Sequence, residues 1–448
     1  MYNRLLFLPD LRELLAADDV VGVTEFCRAL HPAAIGEVLE GLVAEESWRV
    51  LEHCESERQA EIFSYLSLPC QLELVEAVPR ESFSRLIEEM ASDDRVDLLE
   101  RLDPEHVETL LPLVAQAERR DIQRLLSFPD DSAGSIMTTE YATLSAEATI
   151  AEAIERLRQQ APDRETIYYV YVIDEGRRLR GFVSLRELIL ARPESRVEEI
   201  MQQDVISVRV DDDQEDVVQK LSRYDFIAIP VVDAQNLLVG IVTYDDAMDV
   251  VQEEADEDAY RSGAVLPLED SYLSTPLGIL AWKRGVWLIV LLAAAVLTAM
   301  ALRSYQADLE ELQWMVLFIP LVLASGGNAG SQSATLIIRA LAVSHLGREQ
   351  TIRILLRELI LASMLGGGLA LLSFLVATGF VTGNQAAVVG LTVFLVVAMG
   401  TVTGAMLPMG FQRMGLDPAL MSNPLIAAFV DVVGVVVYYS VAKAIVIG

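Results

Sequence analysis

Hydrophobic residues divide this chain into three regions with different periodicities. Up to about residue 130, Leu, Ile and Val recur at three- and four-residue steps, as in HPAAIGEVLEGLVAEESWRVLEHC, and Pro or Asp interrupts the pattern repeatedly. This spacing predicts short amphipathic helices. Helices interrupted this often pack as a stack or superhelix of helix pairs. We therefore expect an all-α N-terminal superhelical domain over residues 1–130.

Residues 131–251 contain an internal duplication with a different pattern. IMTTEYATLSAEATIAEAIERLR precedes YYVYVIDEGRRLRGFVSLRELIL, and IMQQDVISVRVDDDQEDVVQKLS precedes FIAIPVVDAQNLLVGIVTYDDAMDV. Each copy predicts a short strand, a helix, a β-branched strand, an acidic turn, and a second strand that leads into a helix. The duplication predicts two α/β modules, at about 136–195 and 200–251, and nothing in them indicates catalysis.

A charged amphipathic segment, 252–280, joins the modules to a region of long apolar runs. The runs lie at about 285–302, 314–338, 359–381, 386–411 and 424–447. Each is long enough to cross a bilayer, so residues 281–448 are expected to form a membrane domain of five transmembrane helices. Basic residues concentrate in alternate loops. The positive-inside rule therefore places the N-terminal domains in the cytoplasm and the C-terminus outside.

Charge divides the chain at the same place. Of the 34 Lys and Arg and the 66 Asp and Glu residues, nine basic and seven acidic ones lie from Pro276 onward, which leaves a net charge of about −34 before it. Such acidity repels nucleic acid and suits solubility or cation binding. Cys27, Cys54 and Cys70 are odd in number and lack CxxC spacing. They suit a reducing cytosol, and neither a disulfide framework nor a zinc site is expected.

One carboxylate lies well inside the last apolar run. The next charge after Asp431 is Lys443, and a charge at such depth costs at least about 2.5–3.5 kcal/mol on insertion scales. Asn423, Ala427 and Asp431 are spaced at i, i+4 and i+8, which is one stripe of a helix. Gly434 continues this stripe, and small residues beside a lone acid leave room for a hydrated ion. The alternative is an interhelical hydrogen bond from the protonated acid.

The second apolar run contains PLVLASGGNAGSQSAT, residues 320–335. Gly326 and Gly330 form a small-xxx-small pair, whose simplest explanation is close helix packing. Asn328, Gln332 and Thr335 are expected beside them on one face, and amides in hydrocarbon need partners. A pore or cavity lining explains both features.

These features together resemble the MgtE family of magnesium channels and transporters. The resemblance covers the acidic helical domain, the duplicated modules, which resemble a tandem CBS pair, the connector, and the spans that carry GGNAGSQ and NPLIAAFVD. It implies a multidomain α-helical membrane protein with a cytosolic all-α domain and α/β CBS domains. It also implies a homodimer in a bacterial cytoplasmic (inner) membrane, with one pore on the two-fold axis and no enzymatic activity.

The resemblance assigns the pore selectivity residues to Asn423, Ala427 and Asp431. Mg²⁺ loses its water shell reluctantly, so a few outer carboxylate and carbonyl oxygens suit its passage in hydrated form. Two-fold symmetry doubles each lone acid, so two Asp431 side chains would face each other across the axis. The partner that Asp431 lacks within its own span would then be its copy, together with the permeant cation.

The resemblance also implies two regulatory ligands. Adenine nucleotide is expected in a cleft of the CBS pair without hydrolysis, with Glu187 in the first copy standing where Asp246 stands in the second. The matching nucleotide residues are Tyr169, Arg186, Phe226, Ala228, Pro230, Thr243 and Asp246. Cytosolic Mg²⁺ is expected to close the pore by bridging acids of separate domains. These acids are Asp93, Asp97, Glu215, Asp225, Asp246, Asp249, Glu254, Glu257, Asp258 and Asp417.

Simpler explanations stay open for both sets. The nucleotide residues alone would also shape the core of the modules, and the acids alone would also form a solvated surface. Three functions stay open as well: ion permeation, coupled divalent cation exchange, and nucleotide sensing by a receptor that transports nothing. A receptor does not need GGNAGSQ or a mid-span acid, whereas an exchanger requires a second ion gradient for flux.

Overall fold

The computed structural model describes residues 4–102, 104–268, 272–273, 275–305, 312–343, 348–420 and 423–447. The chain separates into two compact units, Met1–Glu253 and Glu254–Gly448. We refer to them as unit 1 and unit 2.

Short helices form the first part of unit 1. They begin and end at residues that interrupt helices: Asp19 caps α2 by accepting a hydrogen bond from the Gly22 amide at 3.0 Å, and Pro32 starts α3. Their apolar stripes converge on one core around Leu39, Phe63 and neighbouring side chains. The helices are α1 Arg4–Ala16, α2 Val20–Ala29, α3 Pro32–Leu39, α4 Ala44–Leu51, α5 Ser56–Ser64, α6 Leu68–Ala77, α7 Arg80–Glu89, α8 Ser92–Glu100, α9 Pro104–Leu110 and α10 Gln116–Leu125. The predicted all-α domain is confirmed.

Two three-stranded sheets with the same strand order complete unit 1. In each sheet the first strand is parallel to the second, and the second is antiparallel to the third. The register also repeats, since Tyr169 pairs with Ser184 and Ala228 pairs with Thr243. The elements are β1 Tyr141–Ser145, α11 Ile150–Gln160, β2 Thr166–Ile173, β3 Leu179–Ser184, α12 Leu185–Leu190, α13 Val197–Ile200, β4 Val208–Arg209, α14 Gln214–Tyr224, β5 Ala228–Val232, β6 Leu238–Thr243 and α15 Tyr244–Ser262.

The two modules exchange their starting segments. The Thr138 and Ile241 backbones form two mutual hydrogen bonds of 2.9 Å, although Thr138 belongs to the start of the first copy. Gly240 makes this contact possible, because a Cβ there would lie 2.6 Å from Met137 Sδ. The start of the second copy pairs in the same way with the first sheet. Each module therefore needs the other to complete its sheet.

The helix after the last strand, α15, continues past residue 251. It ends at Gly263 and Ala264, and the left-handed φ of 57° at Ala264 stops the helix. Pro267 and Pro276 follow, and the next helix starts at Leu277. Among the described residues of the expected connector helix, 252–280, the chain is therefore helical up to Ser262 and again from Leu277, where α16 begins.

Five long helices form most of unit 2. They are α16 Leu277–Ser304, α17 Trp314–Val343, α18 Arg348–Ala377, α19 Gly383–Arg413 and α20 Asn423–Ala442. Within the described residues, these five are long and apolar enough to cross a membrane, which confirms the predicted spans. α19 lies at the centre, against α17, α18 and α20. Leu288 of α16 and Leu372 of α18 are exposed, as lipid-facing side chains must be.

Candidate functional site

The stripe on α20 that carries Asp431 lies against α17 in unit 2. Thr335 Oγ1 donates a hydrogen bond to Asn423 Oδ1 at 3.2 Å, and Ser331 Oγ donates one to the Asn423 carbonyl oxygen at 3.0 Å. The Thr335 hydroxyl also donates to the Ser331 carbonyl oxygen at 3.0 Å, so its one proton is shared between two acceptors. Together with the Ser331 bond, it holds the start of α20 against the second half of α17.

Further along α20, the stripe passes a glycine of α17. A Cβ placed on Gly327 would lie 3.2 Å from the Cβ of Ala427 and 3.8 Å from Asp431 Oδ1. Because Gly327 has no side chain, space stays open beside the half-buried Asp431 carboxylate. We call the facing residues of the two helices the polar seam. It comprises Gly327, Ser331 and Thr335 of α17 and Asn423, Ala427 and Asp431 of α20.

The polar residues expected on one face of α17, Asn328, Gln332 and Thr335, are all exposed on this chain. At i, i+4 and i+7 they point within about 60° of one another. Thr335 lies at the edge of this face and bonds to α20. Gly327 and Ser331 were missed, although their spacing to Thr335, at i, i+4 and i+8, matches the spacing of the α20 stripe.

Glycines hold the helices around the seam at backbone contact. A Cβ on Gly330 would lie 3.1 Å from both the Gly400 carbonyl oxygen and Ile426 Cγ2. A Cβ on Gly404 would overlap the Gly330 carbonyl oxygen, and one on Gly400 would overlap that of Gly326. Close packing through small residues is how helices associate in membranes. The packing explanation therefore holds for Gly326 and Gly330, and it sets the position of the seam.

A second acid of unit 2 escaped the sequence reasoning. Glu358 is buried on α18 near the start of its span, and Ser333 Oγ of α17 donates to its Oε2 at 2.7 Å. The predicted third run started at residue 359, whereas α18 starts at Arg348. Hydropathy alone left Glu358 outside the predicted span, because charged residues in the first turns of a span lower its average hydropathy.

Two predicted regulatory acids meet in unit 1. Asp93 lies in the first turn of α8 and Asp246 in the first turn of α15. Burial raises the pKa of Asp93 well above its ordinary value, and the negative charges of Asp246, Asp94 and Glu165 raise it further. Burial also raises the pKa of Asp246, although the Thr243 hydroxyl donates a hydrogen bond to its carboxylate.

Three more acids extend this contact. The pKa of Asp94 is raised, first by burial and also by Asp245. The pKa of Glu165 is raised to about 7, first by desolvation and then by Asp246 and Asp245. Asp94 was missed although it adjoins Asp93, and Glu165 precedes β2 without any local signal. We call Asp93, Asp94, Glu165, Asp245 and Asp246 the acidic cluster.

The other acids predicted in unit 1 do not all join this cluster. Asp97 and Asp249 are exposed at its edge, where Asp94 is a charged neighbour of both. Glu215 and Asp225 lie at opposite ends of α14, about 15 Å apart along the helix axis. Within one chain, Glu215 and Asp225 therefore cannot share an ion.

The predicted acids of unit 2 gather around an arginine. Arg261 forms ion pairs with Glu257 and Asp417. The pKa of Asp258 is raised, first by burial and then by Asp417 and Glu254. We call Glu254, Glu257, Asp258, Arg261 and Asp417 the connector cluster. Arg261 is the member that the sequence did not single out as a partner of the acids.

Neither cluster has a preformed set of metal ligands. In the part of the chain that the structure describes, no three His, Cys, Asp or Glu side chains converge as ligands of one ion. The clusters instead offer pairs of carboxylates. Such pairs suit an ion that keeps most of its water shell, as Mg²⁺ does.

Four of the seven predicted nucleotide residues line one cavity between the two sheets of unit 1. Tyr169 packs edge-on against Phe226, with ring centroids 6.3 Å apart. The cavity has a volume of about 10 Å³, which is room for roughly one water molecule. A nucleotide would enter only if these rings separate. The lining residues are Tyr169, Tyr171, Phe182, Val205, Ile206, Phe226, Ala228 and Pro230; Tyr171, Phe182, Val205 and Ile206 were missed.

The other three nucleotide residues lie beside this cavity or apart from it. Thr243 pairs with Ala228 in the sheet and donates to Asp246, which caps α15. Arg186 is exposed in the first turn of α12. Glu187 caps that helix by accepting from the Ser184 hydroxyl at 2.7 Å. The two copies thus place equivalent acids at equivalent helix starts.

Comparison with known proteins divides the chain in the same way. Family profiles match residues 30–131 (MgtE intracellular N domain), residues 133–194 and 197–253 (CBS domain), and residues 319–441 (MgtE, divalent cation transporter). A magnesium transporter MgtE from Thermus thermophilus is 38% identical over 439 residues, which cover 97% of each chain. The chain belongs to the MgtE family. The MgtE of Bacillus subtilis is 32% identical over 419 residues, 93% of this chain and 92% of that protein.

Two solved structures resemble the soluble part of this MgtE-family chain. One is the soluble part of a magnesium transporter, with 34% identity, a TM-score of 0.54, and coverage of 56% of this chain and 100% of that chain. The other is the cytosolic domain of the Mg²⁺ channel MgtE in complex with ATP, with 38% identity, a TM-score of 0.52, and coverage of 54% and 99%. The family resemblance and the fold class predicted from the sequence are confirmed.

Proposed function

We propose that this MgtE-family chain forms a homodimeric magnesium channel in a bacterial cytoplasmic membrane. The observation that carries the proposal is the polar seam, which leaves Asp431 half-buried beside Gly327 inside a span. Relatives named magnesium transporters cover nearly the whole chain. A hydrated Mg²⁺ needs outer oxygens and negative charge along its path. Asp431 supplies the charge, and Asn423 and Ala427 supply amide and backbone carbonyl oxygens.

The homodimer is inferred from polar groups that one chain leaves uncovered. Asn328 and Gln332 are exposed within a span, where contact with hydrocarbon would be unfavourable. A second copy across a two-fold axis would enclose these amides around a water-filled path. It would also bring two Asp431 carboxylates to the axis, so a divalent ion would meet two negative charges.

The test of the pore is Mg²⁺ uptake into liposomes that contain the purified protein. Asp431→Asn keeps the size of the side chain but removes its charge, so we expect uptake to be lost while insertion is retained. Lys443→Gln is the matched control, because it neutralises the next charge of the same segment, and it should conduct normally. Normal uptake by Asp431→Asn would refute the pore assignment. Uptake that requires an opposing cation gradient would favour the exchanger.

The positions of the domains follow from the charges of the loops. Residues 1–130, the CBS pair 131–251 and the connector would lie in the cytosol, with the C-terminus outside. Lys283, Arg284, Arg339 and Arg413 occupy the loops and helix ends assigned to the inner face. Trypsin added to sealed right-side-out vesicles should therefore leave the acidic N-terminal part intact. Digestion of this part in such vesicles would show that the orientation is opposite to the proposed one.

We infer that cytosolic Mg²⁺ closes this channel by binding the acidic and connector clusters. Two carboxylates about 4 Å apart repel by about 4 kcal/mol at an effective dielectric of about 20, an upper figure for partly exposed groups. A cation between such acids removes this repulsion and stabilises the compact state that it binds best. Exposed carboxylates retain water, so millimolar sensitivity is expected.

The gating test is limited trypsin cleavage after Arg261 in the full-length protein. Protection of this bond should increase with Mg²⁺, because the ion would tighten the acids around the connector. Combined alanine substitution of Asp246, Asp249 and Glu257 should abolish the increase. Glu175→Ala is the control, since Glu175 is an exposed turn residue outside both clusters. Protection that does not respond to Mg²⁺ would refute the mechanism and leave the pore assignment standing.

We infer that ATP modulates the channel from the cavity between the sheets. The aromatic lining suits stacking with adenine. Asp246 lies in the first turn of α15 and accepts a hydrogen bond from Thr243, the sheet partner of the lining residue Ala228. Calorimetry on the full-length protein should show ATP binding that Tyr169→Ala weakens. Tyr168→Ala is the matched control, because Tyr168 immediately precedes Tyr169 on β2 and its side chain is exposed. Equal ATP affinities of the two variants would refute the assignment of the nucleotide site to this cavity.

A further inference from the structure

Two cysteines that are distant in sequence are adjacent in unit 1. Cys27 lies in the last turn of α2, and Cys54 follows α4. Cys54 Sγ donates a hydrogen bond to the Val50 carbonyl oxygen at 3.6 Å, and Cys27 and Cys54 line the same cavity. Cys27 is 1% exposed and Cys54 is half-buried, and neither forms a disulfide here. The third cysteine, Cys70, lies on α6 and has Glu40 and Glu73 as charged neighbours.

The residues that flank the two cysteines tie their segments together. Arg28 forms an ion pair with Glu55 at 2.6 Å, and each is the residue immediately after one of the cysteines. Arg58 Nε donates to the Cys27 carbonyl oxygen at 2.6 Å. Both contacts join the Cys27 segment to the Cys54 segment, so these side chains keep the two cysteines close.

A cavity opens at the cysteine pair. Its volume is about 220 Å³, and its lining residues are Thr24, Cys27, Arg28, His53, Cys54, Glu55 and Arg58. This is below the roughly 300–1,000 Å³ of sites for whole drug-sized ligands. It is large enough for the reacting end of a small thiol compound, and its arginines favour an anionic one.

The surroundings also activate the pair. The pKa of Cys27 is lowered, first by the adjacent Cys54 thiol and also by the Arg58 guanidinium, against the effect of burial. The adjacent Cys27 thiol and burial raise the pKa of Cys54. Burial, with Glu40 and Glu73, raises the pKa of Cys70 to about 11. The thiolate is the nucleophile in thiol chemistry, so the pair is reactive and Cys70 is not.

We propose that Cys27 and Cys54 form a thiol–disulfide exchange site that accepts a small disulfide of the glutathione type. Cys27 lines the cavity and loses its proton. Its Sγ attacks one sulfur of the small disulfide, breaks its S–S bond and releases one thiolate. Cys54 then loses its proton, attacks Cys27 Sγ and releases the second thiolate. Two protein thiols are oxidised and one small disulfide is reduced, and excess small thiol reverses both steps.

The test uses the full-length protein in detergent, equilibrated with glutathione buffers from fully reduced to fully oxidised and then quenched with acid. Mass-tagged maleimide under denaturing conditions should count three free thiols in reducing buffer and one in oxidising buffer. Trypsin digestion of the oxidised protein should give ELLAADDVVGVTEFCR joined to VLEHCESER by a disulfide. This peptide mapping needs no variant, so it does not depend on the folding of a mutant.

Cysteine variants test which sulfur takes part in each step. Cys70→Ser is the matched control and should form the linked peptide at the same glutathione ratio as the wild type. Cys54→Ser should stop at the mixed disulfide on Cys27. Three free thiols in every buffer would overturn the proposal, as would a glutathione adduct without the linked peptide or a link that involves Cys70. The inference is independent of the magnesium pathway, and none of these outcomes bears on Asp431.

Discussion

Gly404→Ala tests whether backbone contact between α17 and α19 positions the polar seam. The added Cβ would overlap the Gly330 carbonyl oxygen and would lie 2.9 Å and 3.1 Å from the Gly330 C and Cα atoms. These are backbone atoms in the middle of a span, so no flexible side chain can turn aside. The two helices would have to separate locally by on the order of 1 Å to restore ordinary van der Waals contact.

The energetic cost follows from this displacement. A gap of about 0.5–1 Å forfeits a quarter to a half of each dispersion contact, and overpacking a close interface costs about 1–3 kcal/mol. For a unit of this size, about 1 kcal/mol lowers Tm by about 2–4 °C. We therefore expect Gly404→Ala to lower the melting temperature by about 2–12 °C. Mg²⁺ uptake should also fall, because α17 carries half of the seam.

Thermal unfolding in detergent, monitored by tryptophan fluorescence, reports mainly on the stability of unit 2. Three of the four tryptophans, Trp282, Trp287 and Trp314, belong to unit 2. Gly410→Ala is the matched control, because Gly410 is on the same helix and an added Cβ would meet nothing within 4 Å. Equal melting temperatures for the two variants would refute the backbone-contact explanation of these glycines.

Two further predictions concern the acids of unit 1 and the start of the seam. Because burial raises the pKa of Asp93 in the folded state and raises the pKa of Glu165 to about 7, the folded protein binds more protons than the unfolded chain. Without divalent cations, Tm should therefore fall as pH rises from about 4.5 through 7, and Mg²⁺ should flatten this slope; a slope unchanged by Mg²⁺ would contradict cation binding there. Thr335→Val removes the hydroxyl that bonds to Asn423 and should cost about 0.5–1.5 kcal/mol. Mg²⁺ uptake should fall relative to Thr378→Val, an exposed control at the end of α18, and equal uptake would mean that this bond does not position the seam.

The features that sequence predicted well depend on local patterns. The duplicated register, Tyr169 with Ser184 and Ala228 with Thr243, follows from two copies that share the same order of β-branched and turn residues. The spans follow from hydropathy averaged over many residues. The end of α15 depends on a left-handed residue, Ala264, which is not a residue type that signals a helix stop.

Features that depend on tertiary contacts could not be predicted in the same way. Glu165 joins the acidic cluster only because the loop before β2 lies near Asp246. Which side of α17 faces α20 depends on the glycine contacts with α19, whereas the amides predicted a pore-lining face, which is the neighbouring face and is exposed on this chain. The separation of Glu215 and Asp225 could have been predicted from the sequence, because the two residues lie at opposite ends of one predicted helix.

The acidic cluster and the connector cluster differ in how their charge is balanced, and this difference predicts which of them would bind Mg²⁺ more tightly under the proposed gating mechanism. In the connector cluster, Arg261 already provides a positive charge to Glu257 and Asp417. The charged groups that raise the pKa of Asp93 are all acidic, and its carboxyl gains stability by holding a proton. A divalent ion at Asp93 replaces a proton and relieves repulsion, whereas one at Asp417 competes with an existing ion pair. Cation binding is therefore expected to be tighter at the acidic cluster. The affinity of this cluster for the cation should decrease as the pH is lowered, because its carboxylates then take up protons.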